Sequence, residues 1–294
     1  GFNGNIRSNP LFMNIEGDIT TWDFRLQDGS ACIGAGRIEG APSYDINGEP
    51  RPGENGKICM GAHESPDDYM PGPIGVTAKR YYVSLKGNNE NDGLTWDKPL
   101  RHITKAIDMI TNADDIKEIW VQSGTYIEPK NITIPPRVNL YGGFSGTETD
   151  LSHRLPHTHK TMIDYNFITN WGLLSGFYLS KSRAERGGAI DNNGITDTCD
   201  VFSCTASDKG GGIFNKGTVN NCSIYKCIAK YKGGGIYNQF GRINSCRIFG
   251  NSAMSGGGIH GYDGGSDLIS MITNCVVYAN SGGGITTESN GIII

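Results

Sequence analysis

From residue 187 onward the motif Gly-Gly-Ala/Gly-Ile recurs, with its isoleucines at Ile190, Ile213, Ile236, Ile259 and Ile285. The intervals are 23, 23, 23 and 26 residues. A second mark keeps the same beat: Cys199, Cys222, Cys246 and Cys275, with the last interval stretched by an insertion. Between the marks there is no helical apolar period. Short apolar runs alternate instead, as half-buried strands do, and each is bounded by turn-forming Gly, Asn, Ser or Asp. At roughly 3.3 Å per extended residue, one unit traces a loop of about 75 Å, enough for three short strands and their corners. Such loops stack into an all-β, right-handed parallel β-helix whose three-stranded coils touch only their neighbours. Helical repeats of similar length would need helix formers, and the glycine runs forbid them.

Composition narrows the function classes. A net charge of −4 rules out a basic nucleic-acid binder held by phosphate neutralisation. No apolar stretch approaches the ~20 residues of a membrane-spanning helix. The 43 glycines follow no three-residue period, so collagen is excluded. The chain begins at Gly1 with neither an initiator Met nor a signal peptide, and is expected to be a piece of a longer protein.

Period-two alternation assigns faces. In "CSIYKC", Cys222 and Ile224 point inward and Ser223 and Tyr225 outward. The cysteine column then lies inside, either as disulfides or a metal site, or as stacked free thiols. Side chains on in-register parallel strands point the same way, which suits disulfide geometry poorly and favours free thiols. Asn192, Asn215 and Asn238, also 23 apart, form an expected asparagine ladder at a strand end. Two outward columns carry rings: Phe202, Tyr225, Phe249 and Tyr278, and Asp191, Phe214, Tyr237, His260 and Thr286. Exposed aromatic rows suit the apolar faces of sugars. Alternatively, they stabilise the sheet by cross-strand pairing or lie under a flanking segment.

Outside the repeat, residues 79–186 are expected to hold an N-terminal cap and the first coils. Residues 99–113 have helical spacing at Leu100, Ile103, Ala106, Ile107 and Ile110, with Pro99 in the first turn. That helix would cover the open end of the solenoid. "EIWVQSGTY", "NITI" and "RVNLYGGF" are expected to build the first coil. Residues 65–78, with three prolines, are a linker candidate.

The pieces "NPLF", "DFRLQDGSACIGAG", "DINGEPRPG" and "CMGAHE" of residues 1–64 resemble the closing segment of bacterial β-helix domains. "YYVSLKGNNENDGLTWDKPLRHITKAI" resembles the opening of such a domain. "IFGNSAMSGGGI" and "VYANSGGGI" resemble the repeat of polymorphic outer-membrane proteins, within the pectate-lyase-like superfold. In two coils Cys204 and Cys227 stand where that repeat has the Asn seen at Asn251 and Asn280. The resemblance implies the tail of one β-helix module followed by the head of the next. It implies a secreted or surface-displayed bacterial protein with a structural and adhesive role, whose partners are glycans, a surface protein or adjacent modules.

Parallel β-helices often carry polysaccharide lyases and glycoside hydrolases, which makes a carbohydrate-active enzyme the rival expectation. The polygalacturonase motifs Asn-Thr-Asp, Gly-His-Gly and Arg-Ile-Lys have only loose counterparts in "IHG" (259–261) and "RIN" (242–244). Lys209, Lys226, Lys230 and Lys232 lack a carboxylate column beside them. No catalytic residue is therefore assigned. The insertion after Ile259 places His260, Tyr262, Asp263 and Asp267 on a lengthened coil, for a ligand or cation or as a tolerated loop. His153, His157 and His159 lack a Cys or acidic partner and fit a surface loop better than zinc. Asn88, Glu90 and Asp92 fit a turn better than a Ca²⁺ loop. No cofactor and no metal are expected, with Ca²⁺ as the alternative. The ligand-binding candidates are Phe202, Tyr225, Phe249, Tyr278, Tyr237, His260, Tyr262 and Asp263.

Overall fold

The protein is described by a computed structural model. It describes residues 12–14, 23–26, 32, 35, 36, 59, 79–110, 117–262, 271–288 and 292–293. The chain divides into two compact units, Gly1–Thr77 and Ala78–Ile294. In the first, strands Phe12–Asn14 and Asp23–Leu26 pair antiparallel, and Cys32 and Cys59 are buried. The expected linker, residues 65–78, lies outside the described residues.

The second unit is a parallel β-helix. Three sheets of nine, seven and seven strands run along it, every pairing within them is parallel, and each coil contributes one strand to each sheet. In one full coil, Thr218–Asn220 lies in the first sheet, Ser223–Tyr225 in the second and Ile236–Gln239 in the third. Between second and third sheets the chain makes an excursion that builds a small three-stranded parallel sheet of its own, Arg183–Arg186, Thr205–Lys209 and Ile228–Ala229.

The repeat marks explain themselves once coils are stacked in register. Ile190, Ile213, Ile236 and Ile259 lie directly over one another with no exposed surface, as do Val201, Ile224 and Ile248 in the second sheet. Each such side chain contributes about 2–3 kcal/mol relative to an exposed one. The glycines answer a different demand. Gly210 has φ +67°, and a Cβ on Gly211 would lie 2.2 Å from the Gly234 carbonyl oxygen of the next coil. Backbone packs on backbone there, and any side chain is excluded.

Two corners of each coil turn on a single left-handed residue: Thr198, Asn221, Ser245 and Asn274 before the second sheet, and Ser203, Lys226 and Ala279 after it, all with φ of 51–55°. Such a conformation costs a non-glycine residue about 1 kcal/mol. The residue that follows offsets it. The thiols of Cys199, Cys222, Cys246 and Cys275 donate across the bend to carbonyls two residues back, at 2.9–3.2 Å. Cys227 also donates to the Val201 carbonyl one coil back, 3.7 Å away. In the next two coils Asn251 and Asn280 take that role, their amides donating to Ile224 and Ile248 carbonyls at 2.9 and 3.0 Å. Cys and Asn are thus chemically equivalent at this corner. All six repeat cysteines are free thiols, five of them buried, as their parallel side-chain directions require.

The asparagine ladder runs along the end of the third sheet. Asn170 donates to Asn192, Asn192 to Asn215 and Asn215 to Asn238, at 2.7–2.8 Å, with all four fully buried. Its first rung, Asn170, breaks the 23-residue interval and was hidden from the repeat.

The cap is shorter than its apolar spacing suggests. The helix spans Ile103–Asp108, and Pro99 precedes it. Leu100 forms a parallel bridge with Val83, its N–H donating to the Tyr82 carbonyl at 2.9 Å, which holds the chain extended there. The helix then starts on Glu128, a buried carboxylate that accepts from the Ile103 and Thr104 amides at 3.0 and 2.9 Å. Ile103 and Ala106 join the solenoid core. The first coil also differs: Lys117–Gln122, Gly124–Tyr126 and Ile132–Ile134 supply its three strands, and Val138–Phe144 opens the second coil.

The corner chemistry makes a test. Cys227→Asn should change stability by less than about 1 kcal/mol, since an amide restores the same bond. Cys227→Leu should cost about 2–3 kcal/mol by removing the thiol donor to the Val201 carbonyl and overpacking a fully buried position. Urea denaturation of the two variants distinguishes them.

Candidate functional site

The second sheet presents a long outer face built from two columns. One runs Asp164, Ser180, Phe202, Tyr225, Phe249, Tyr278; the other runs Met162, Tyr178, Asp200, Ser223, Arg247, Val276. The four expected rings therefore stand in one row. Phe202–Tyr225, Tyr225–Phe249 and Phe249–Tyr278 are 5.1, 5.0 and 5.1 Å apart, with planes within 7° of parallel. Phe202, Tyr225 and Phe249 are half-buried and Tyr278 is 44% exposed.

This corrects how the row would meet a sugar. Successive rings occupy one another's faces, so they present edges and hydroxyls outward rather than flat surfaces. Stacking follows from coil spacing: in-register strands about 4.8 Å apart leave a ring no other place. The edge of an aromatic ring is its positive side and attracts oxygen lone pairs.

At the N-terminal head of the face the groups are polar. Ser180 Oγ donates to Asp164, and Lys181 Nζ donates to the same carboxylate at 2.6 Å. The Tyr178 hydroxyl lies 3.2 Å from His157 Nδ1. Burial, then the neighbouring Asp200, pushes the Tyr178 phenol up to about 12. The same two causes raise Tyr225. The loop of His153, His157 and His159 thus meets the face through His157. Asn88 and Asp92 side-chain oxygens accept from the Glu90 and Leu94 amides, closing turns. No group of three or more His, Cys, Asp or Glu placed to hold a metal occurs among the described residues.

Of the two alternatives open for the other ring column, an exposed outer face or cover by a flanking segment, the structure has the covered one. Phe214, Tyr237 and His260 are 2%, 3% and 1% exposed. They stack as a ladder, at 5.2 Å for Phe214–Tyr237 and 5.5 Å for Tyr237–His260. The excursion between second and third sheets roofs them with cations. Arg186 Cζ lies 5.1 Å from the Phe214 ring and Lys209 Nζ 5.1 Å from that of Tyr237. Lys232, next in the row, pairs with Glu288 instead. Tyr237 and His260 are therefore unavailable to a ligand on the surface. Tyr262 packs 6.3 Å from Tyr237 at the margin, half-buried, and Asp263 lies outside the described residues.

Sequence reasoning singled out Lys209 and Lys232 but missed Arg186 and the roof they share, although Arg186, Lys209, Lys232 and Ser255 each immediately precede a glycine run at the 23-residue interval. It also missed Glu288, whose carboxyl Lys232 holds below its usual range. His260 Nε2 sits 3.2 Å from Glu288 Oε1 without hydrogen-bonding geometry, and Ser255 Oγ lies 3.3 Å from Nδ1.

Comparison with known proteins places the chain. Residues 85–291 match DUF1565, a family described as a protein of unknown function. The chain belongs to that family. Two solved structures are similar to this DUF1565 protein. One is the crystal structure of pectate lyase Pel9A, with 18% identity, TM-score 0.37, and 71% of this chain and 56% of that one covered. The other is a rhamnogalacturonan lyase, with 15% identity, TM-score 0.32, and 72% and 61% covered. The chain spans less than two thirds of either. No curated protein matches it.

His260 gives a pH test. Burial holds its imidazole below the ordinary value, against the opposing pull of Glu288, with Lys232 and Lys209 adding to the depression. The folded form thus takes up the proton less readily than the unfolded form. This contribution to stability is complete above the ordinary histidine range, about 6.5, and is lost as pH falls through it. Melting temperature should drop between pH 7.5 and 5.5, and His260→Phe, which continues the ladder, should shrink that drop.

Proposed function

We propose that this DUF1565 protein is a carbohydrate-binding, adhesive module displayed outside the bacterial cell, with the β-helix serving as a rigid support. Its ligand is a glycan lying along the outer face of the second sheet. The observation that carries this reading is the row Phe202, Tyr225, Phe249 and Tyr278, half-exposed along four coils beside Asp200, Ser223 and Arg247. The second ring column is roofed by its own cations, and this one has ring edges and two phenol hydroxyls facing outward. Sugar oxygens find positive ring edges and hydrogen-bonding groups on the same surface. In-register coils fix the spacing in advance, so little freedom is lost on binding. Tyr225→Ala and Phe249→Ala should each weaken retention on a glycan array at least about tenfold. Unchanged retention would overturn this reading.

A second reading, a polysaccharide-degrading enzyme, is favoured by one pair: Lys232 donates to Glu288 with both side chains partly exposed, while His260 beside them is buried. An amine beside a carboxylate is a pairing that acid–base chemistry on a sugar can use. Incubation with uronate-containing and neutral polysaccharides, following unsaturated products and new reducing ends, separates the two. Turnover that Lys232→Met abolishes would establish the enzyme reading.

A further inference from the structure

The face of the second sheet carries a pattern finer than a row of rings. Its members alternate Phe202, Tyr225, Phe249, Tyr278, so a phenol hydroxyl recurs at every second coil, about 10 Å or two strand spacings apart. The adjoining column is charge-balanced with the same period: Asp200 and Arg247 stand two coils apart with Ser223 between them. At the head, Asp164 is neutralised by Lys181. The edge toward the first sheet is formed by the left-handed corner residues Thr198, Asn221, Ser245 and Asn274, one hydroxyl or amide per coil. Thr198 and Asn221 both donate to Asp197, at 2.7 and 2.9 Å, and the Asn221 carbonyl oxygen and second amide hydrogen extend the row. Lys181 and Lys226 are charges on the opposite edge, and Lys160 Nζ lies 5.1 Å from the Tyr178 ring, so cations alternate with Asp164, Asp197 and Asp200. Such a face sets up no run of like charge, and so no field that would gather an anionic polymer.

We infer that the glycan is neutral, β-1,4-linked and extended, with a disaccharide repeat running parallel to the solenoid axis. This deepens the proposed function and rests on it. In an extended β-1,4-linked chain each sugar is turned over relative to the last, so any given hydroxyl faces the protein at every second sugar. One extended sugar unit is close in length to the ring-to-ring step of 5.0–5.1 Å. The phenols of Tyr225 and Tyr278 therefore meet equivalent hydroxyls of two successive disaccharides, while Phe202 and Phe249 meet the alternate sugars. An α-1,4-linked glucan coils and loses this register within a few units, and a galacturonan is set apart by its carboxylates. Balanced Asp200 and Arg247 favour hydroxyl and acetamido groups over carboxylates on the ligand.

The test is calorimetric titration of the whole chain with cellohexaose, chitohexaose, maltohexaose and hexagalacturonate, using wild type, Tyr225→Phe and Tyr278→Phe. The phenylalanine variants keep the stack and remove only the hydroxyls, and circular dichroism confirms the fold of each. At least one neutral β-1,4 hexaose should bind about tenfold or more tighter than maltohexaose and hexagalacturonate. Each Tyr→Phe change should weaken that binding about fivefold. Equal or tighter binding of maltohexaose or hexagalacturonate, or phenylalanine variants that bind like wild type, would overturn the register inference and leave glycan binding standing. Binding of none of the four, together with no retention on the array, would overturn both.

Discussion

Inter-coil backbone hydrogen bonding is the constraint on which everything else in the solenoid depends. It sets each residue directly above its counterpart about 4.8 Å away, so every position in the coil becomes a column of like on like. A column must then be chemically content with itself. Isoleucine on isoleucine gives the core, and asparagine on asparagine gives a continuous amide ladder from Asn170 to Asn238. Glycine on glycine gives a seam of bare backbone. Rings on rings must stack face to face, because the spacing admits no other packing. The outer face inherits its periodicity from the same rule, and the binding reading is a consequence of fold geometry rather than an addition to it.

The fold was legible because columns repeat in the sequence as intervals. The isoleucines, cysteines and three of the asparagines announce coil length, face and corner without reference to any other protein. The site was legible only in part, for a reason visible in Phe214 and Phe202. Both point outward from the interior, and alternation cannot tell them apart. What separates them is the excursion that carries Arg186 over Phe214 and Lys209 over Tyr237 and leaves Phe202 uncovered. Covering is a property of neighbouring loops, and period-two patterning contains none of it. The short cap has a parallel cause: Pro99 and Leu100 fit a helical pattern, yet a bridge to Val83 claims that backbone first.

Free energy is distributed unevenly around a coil. The left-handed corner residues are strained by about 1 kcal/mol each. That strain is tolerable because the single thiol hydrogen of the next residue lies within reach of two carbonyls, one in its own coil and one in the coil beneath. Corners are where local conformation and inter-coil bonding meet, and where a substitution acts on two coils at once.

The exchange of thiol for amide at the second corner has a further consequence. Cys204 and Cys227 give way to Asn251 and Asn280 with the donor bond preserved, so the corner asks for a compact hydrogen donor and not for sulfur. Among the described residues no disulfide is part of the solenoid. A solenoid held this way does not depend on disulfide formation. It can be lengthened coil by coil by duplication, each new coil drawing either residue, without ever having to solve a disulfide-pairing problem.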